Sequence, residues 1–214
     1  MQERIDNALY TKGDAIMAII KGSDEPIRAD QIAGAPQGHW TYEHYAAIPD
    51  DGQRYEIVDG VLYMSPAPSG WHQKAVLWIA YHLTNYVELG GLGNVVMAPF
   101  DVELSFKNVV QPDVVVLLKE HQDQYIISRI VGAPDLVVEV ASPGTSKYDR
   151  NKKAHAYAQA GVQEYWIVHP LEYTLEVLVL DAGKYRSIGV FSGEQTIPSQ
   201  VVPDFPVQVR QFFP

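Results

Sequence analysis

Apolar residues recur along this chain with two periods. From Trp71 to Leu89 they recur at helical spacing: Ala75, Ile79, Leu83 and Tyr86 line one face, joined by Val76, Ala80 and Val87, and Gly90-Gly91 ends the run. A second helix is predicted from about Tyr148 to Ala160, stopping at Gly161, and a short one, capped by Thr41, through about Ala47. Elsewhere the pattern is that of strands. Arg54–Val58 and Val61–Met64 flank Asp59-Gly60, a strong two-residue hairpin signal. Three strands follow the long helix, roughly Asn94–Leu104 (interrupted near Pro99), Val109–Leu118 and Asp135–Ala141. Glu164–Val168 is a further strand, and Thr174–Leu180 with Lys184–Phe191 reads as a closing hairpin. The order is helix, three strands, helix, strand, with an extra hairpin at each end, which is an α/β pattern. Residues 1–38 read as an appendage, with a helix over Arg4–Lys21 and a Gly/Pro linker at Gly34–Gly38. Residues 39–214 form the domain, and its tail, Val201 to Phe213, ends in two aromatics expected to pack onto it.

Composition narrows the classes. With 214 residues, 47% hydrophobic and 20% charged, the chain suits one well-buried globular core. It has no cysteine, which excludes disulfides, thiolate metal sites and a cysteine nucleophile. No run of about 18 apolar residues predicts a membrane span, and the acidic N-terminus does not read as a secretory signal, so a cytoplasmic location is expected. The net charge of −10 argues against a broad basic surface that coats nucleic acid, but not against an enzyme with local basic residues. The seven histidines form no HxH or HxxxH pair, and neither a phosphate-binding glycine loop nor a Gly-x-Ser-x-Gly elbow is present.

Charged residues within the apolar runs are the candidate chemistry. Glu139 interrupts Leu136-Val137-Val138-Glu139-Val140, a run suited to a strand buried on both faces. A carboxylate there is costly unless partnered. It either meets a lysine or backbone donor at the strand end or serves as a metal ligand at the sheet's carboxyl edge. Asp113 follows Pro112, where strand pairing is irregular; it is a turn acceptor or a site residue. Glu56 shares a face with Val58, and either points inward with it or faces solvent on an edge hairpin. Lys153, Tyr157 and Ala160 share one helical stripe while Lys152, His155 and Gln159 share a polar one, so Lys153 is the lysine aimed at the sheet. Three acids and a lysine suit a hard divalent cation, which takes oxygen ligands, and a phosphate under attack, whose charge the lysine stabilises. His72, at the start of the long helix beside Gln73, is a structural hydrogen-bonder or a supporting site residue.

These segments, in order, resemble the Uma2 family of restriction-endonuclease-like proteins. The match rests on Thr41-Tyr42-Glu43, Arg54 to Gly60, Ser65-Pro66-Ala67-Pro68, His72-Gln73, Gln111-Pro112-Asp113, Ala133 to Val140 with Ser142-Pro143, Tyr148-Asp149-Arg150 with Lys153 and Tyr157, and Gly161-Val162, Glu164 to Val168 and Pro170. The resemblance runs from about Thr41 to the C-terminus. It implies the PD-(D/E)XK nuclease superfamily, with an αβββαβ restriction-endonuclease-like core. It also implies Asp113 and Glu139 as metal-binding acids, Glu56 as a third site acid and Lys153 as the lysine. The superfamily's usual lysine position is Ala141 here, so the lysine has moved to the following helix; His169 stands where the family commonly has Asp. The expected function is a Mg²⁺-dependent endonuclease acting on DNA, with Mn²⁺ as a substitute. Lys147, Arg150 and Lys152 are expected to contact phosphates, and a homodimer is the expected assembly. The alternative is a catalytically silent binding or regulatory module on the same fold.

Overall fold

A computed structural model of the chain describes residues 26–142 and 149–214. The helix expected at Arg4–Lys21 and Lys147 both lie outside the described residues. The elements are β1 (Ile27–Arg28), α1 (Tyr42–Ala46), β2 (Arg54–Val58), β3 (Val61–Ser65), α2 (Gly70–Leu83), β4 (Gly93–Met97), β5 (Asp101–Ser105), β6 (Asn108–Val110), β7 (Val114–Leu118), β8 (Tyr125–Ile126), β9 (Arg129–Val131), β10 (Leu136–Val140), α3 (Ala154–Ala160), β11 (Glu164–His169), β12 (Thr174–Asp181) and β13 (Lys184–Ser192). A π-helical turn, Thr84–Glu88, extends α2, and another, Asp149–Lys153, leads into α3.

The strands form two mixed sheets. The first runs β1-β3-β2-β6-β5-β9-β8 and the second β13-β12-β11-β10-β7-β4. Two strands expected as single units each divide between the sheets. The segment expected as Asn94–Leu104 becomes β4 in the second sheet and β5 in the first; Val109–Leu118 becomes β6 in the first and β7 in the second. Pro99 and Pro112 stand at these crossings, where a residue without an N–H cannot extend a ladder.

The Asp59-Gly60 hairpin forms as expected, with φ of 52° and 74° at its two central residues, the signature of a primed turn. Within residues 26–38, expected as part of the appendage, Ile27–Arg28 joins the first sheet. Ile27–Arg28 pairs with Tyr63 and Met64 of β3, and the Gly38 and Trp40 amides donate to the Gly60 carbonyl at 2.7 and 3.0 Å. Left uncovered, β3 would present unpaired backbone groups at the sheet's edge.

Alternation in the central strands sorts the core into layers. On one face of the second sheet, Val114, Val116, Val138, Val140, Trp166 and Val168 pack against Ala75, Val76, Ile79 and Leu83 of α2. The tail closes the same layer through Val202, Phe205, Val209 and Phe212. On the other face, Val115, Leu117, Val137, Ala141, Tyr165 and Ile167 meet α3 and the inner side of the first sheet, through Tyr157, Val58, Tyr63, Val102 and Ile130. Each large side chain withdrawn this way contributes about 1.5–3 kcal/mol. Trp40, Tyr55, Ile57 and Leu62 form a third layer outside the first sheet. Among the described residues no helix is long and apolar enough to cross a membrane.

Candidate active site

Five of the buried polar residues, Glu56, His72, Asp113, Glu139 and Lys153, gather near where the chain crosses between the sheets. Glu56 shares the inner face of the first sheet with Val58 and is 2% exposed. Glu139 shares the inner face of the second sheet with Val137 and Ala141 and is 5% exposed. The two face each other across one layer, and Lys153, at the junction of the π turn with α3, lies between them. Its Nζ donates to Glu56 Oε1 at 2.9 Å and to Glu139 Oε1 at 3.0 Å. One helical turn on, Tyr157 donates its hydroxyl to the same Glu139 oxygen at 2.6 Å. Burial, and then the charge of Glu139, push the Tyr157 hydroxyl well above the usual tyrosine range, so it remains a donor.

Asp113 stands beside this triad at the end of β7. Val114 pairs with Val138 in the antiparallel β7–β10 ladder, and Asp113 immediately precedes Val114, as Glu139 follows Val138. Asp113 Oδ2 accepts from the Val140 amide at 2.7 Å and lies 3.1 Å from His72 Nε2. His72 is held on the inner face of α2 because Ser69 caps that helix, its Oγ accepting from the His72 amide at 3.3 Å. The other ring nitrogen, Nδ1, is buried with no hydrogen-bond partner. The structure thus joins Glu56, Glu139, Lys153 and Tyr157 by direct bonds and sets Asp113 with His72 alongside.

The remaining expected site residues divide. Gln73 is exposed, and its backbone amide serves the helix start by donating to the Ser69 carbonyl. Lys152 is exposed; its Nζ donates to the Tyr63 hydroxyl at 2.5 Å and lies 4.9 Å from that ring's centroid. Arg150 lies in the π turn, and its side chain is outside the described residues, as is Lys147.

Several polar partners had no role in the sequence reading. The Gln111 amide donates to Glu56 Oε1 at 2.7 Å. The Gln111 side chain accepts from Arg54 Nε at 3.1 Å and donates to Asp101 Oδ1 at 2.8 Å and to the Tyr45 hydroxyl at 3.1 Å. The available signal was its position, immediately before Pro112-Asp113, but its partners are 10 to 66 residues away and no local period reveals them.

A family model described as "Putative restriction endonuclease", Uma2, matches residues 42–210. The chain belongs to the Uma2 family. Among solved structures, a protein from Anabaena variabilis described as a putative nuclease superposes with a TM-score of 0.66 at 19% identity, covering 81% of this chain and 97% of that one. At that identity the likeness establishes a shared fold, the mixed α/β architecture expected from the element order and, through the family resemblance, as restriction-endonuclease-like. Among curated proteins there is no match. Ala141 is buried in the inner layer, while Lys153, the residue before α3, reaches Glu139.

Among the described residues no group of three or more His, Asp or Glu side chains is spaced to hold a metal ion. The donor set fits a smaller demand. Mg²⁺ is commonly held by one or two carboxylates, with water and substrate phosphate completing its shell. Asp113 fits that description: its Oδ2 accepts from the Val140 amide and meets His72, and Val140 adjoins Glu139 on β10. Glu56 is engaged differently: its Oε1 receives both Lys153 and the Gln111 amide.

Proposed function

We propose that this Uma2 protein is a Mg²⁺-dependent endonuclease that hydrolyses DNA phosphodiester bonds, with Mn²⁺ able to substitute. The observation that supports the reading is the buried Lys153 ammonium bonded to both Glu56 and Glu139, with Asp113 bonded to the Val140 amide next to Glu139. In this reading Asp113 and Glu139 hold the cation, and Glu56 anchors the lysine. A divalent cation bound there supplies charge screening at the phosphate and a more acidic water. Lys153 stabilises negative charge developing on the phosphate oxygens, in a site sheltered enough for that charge to matter. Tyr157 orients Glu139 by donating to it. His72 donates from Nε2 to Asp113, which fixes that carboxylate's rotation in the way outer partners orient metal-binding acids. Lys147, Arg150 and Lys152 would meet the DNA backbone and fix register without reading sequence. Cutting both strands calls for two such sites, which a homodimer would supply.

The test has two arms. Mg²⁺ or Mn²⁺ should raise the thermal midpoint of the wild-type protein and not that of Asp113→Ala or Glu139→Ala. With Mn²⁺, the wild type should nick supercoiled DNA, and Asp113→Ala and Lys153→Ala should not. If wild type and variants behave alike in both arms, the enzyme reading is wrong and the fold serves as a silent binding module.

A further inference from the structure

Gln111 occupies a position that only its own side chain satisfies. Its carboxamide oxygen faces Arg54, which can only donate, and its carboxamide nitrogen faces Asp101, which can only accept. The Tyr45 hydroxyl completes the ring of contacts, donating to Asp101 at 2.8 Å and accepting from Gln111. Arg54 also donates to the Gln111 carbonyl at 3.3 Å, so side chain and backbone are both pinned. A glutamate here would set two carboxylates against each other, and an asparagine would be one methylene short of spanning the gap.

What this anchoring holds is the Gln111 amide, which is aimed at Glu56 Oε1, the oxygen that also receives Lys153. The same crossing carries Asp113 two residues on. We propose that Gln111 is a positioning residue: through its amide and Glu56 it fixes where the Lys153 ammonium stands relative to Asp113. Arg54, Asp101 and Tyr45 are its supports. The proposal rests on the nuclease reading for its catalytic consequence, but the coupling it asserts exists without catalysis.

The experiment therefore has two independent readouts. In Mn²⁺-dependent nicking, Gln111→Ala and the nearly isosteric Gln111→Glu should each lower kcat by about 100-fold, the scale expected when a catalytic group is misplaced by about 1 Å. KM for DNA and the Kd for Mn²⁺ should stay within about threefold of wild type. A packing role would leave Gln111→Glu active. The second readout is the unfolding equilibrium in urea. Gln111→Ala should shift the unfolding constant about tenfold in the wild type, and by a factor at least about threefold different in a Lys153→Met background, since the two residues act through one carboxylate. Should Gln111→Ala fold poorly, Tyr45→Phe removes one support and should give a smaller effect of the same kind. A wild-type rate in Gln111→Glu overturns the inference and leaves the nuclease reading standing. If the wild type nicks nothing, the nuclease reading fails, and the cycle alone judges the positioning: non-additivity supports it and additivity overturns it.

Discussion

Replacing Lys153 by Met tests the energetics of the site apart from its chemistry. Methionine keeps the length and apolar stem of the lysine and removes only the charge and its donors. Lys153 is 5% exposed, and the carboxylates it bridges, Glu56 and Glu139, are 2% and 5% exposed. Its two bonds, 2.9 and 3.0 Å, join charged groups on both sides. A hydrogen bond to a charged group contributes about 1.5–3 kcal/mol, and stripping one partner from a buried ionic pair costs about 3–5 kcal/mol. The Gln111 amide and the Tyr157 hydroxyl remain to hold one carboxylate each, so the expected loss is about 3–4 kcal/mol. For a chain of this size that lowers the thermal midpoint by roughly 10 °C. The assay is urea unfolding at fixed pH and ionic strength. The loss is assigned to stranded charge, so adding Glu56→Gln and Glu139→Gln to Lys153→Met should return at least half of it. A deficit below about 1 kcal/mol, or a triple variant as unstable as the single one, would refute the claim that this lysine neutralises a buried pair.

Two other outcomes follow from the fold. Burial raises the hydroxyls of Tyr45, Tyr157 and Tyr185 above the ordinary value near 10, so in the folded state they stay protonated when unfolded tyrosines ionise. Their contribution to stability is complete below the unfolded pKa and is lost as pH climbs through the folded values; absorbance titration at 295 nm should leave these tyrosines silent until the protein unfolds, and free ionisation of all 13 near pH 10 would contradict it. Gly60 has φ of +74°, and a Cβ there would lie 2.5 Å from the Gly38 carbonyl oxygen, so Gly60→Ala should cost about 1–3 kcal/mol and speed hydrogen exchange at the Gly38 and Trp40 amides; unchanged exchange would place the strain elsewhere.

The parts of this molecule that were legible beforehand are those governed by short-range pattern. The Asp59-Gly60 hairpin, the inward face of α2 and the separation of Lys152 from Lys153 all follow from periods of 2 or 3.6 and were read correctly. Glu139 was singled out because a charge inside a valine run demands a partner, and Lys153 and Tyr157 are those partners. What stayed hidden depends on which sheet a strand joins. Val109–Leu118 reads as one strand because its apolar pattern continues across Gln111-Pro112-Asp113; only pairing partners far along the chain separate β6 from β7. The same blindness concealed Gln111, whose importance comes from the crossing itself. Docking of residues 26–38 was missed for a related reason: β1 is a two-residue strand, too short to give a period.

The arrangement of the tail has a consequence for biosynthesis. Val138 and Val140, the neighbours of Glu139 on its strand, rest on a layer that includes Phe205, Val209 and Phe212. Every residue of the candidate catalytic cluster, from Glu56 to Tyr157, leaves the ribosome before those aromatics do. The acids and their lysine can therefore be translated while the far side of their supporting sheet is still open to water. A nascent chain halted short of Phe212 would possess all the groups of the candidate site without the layer beneath their sheet, so the packing that supports them waits on residues translated long after.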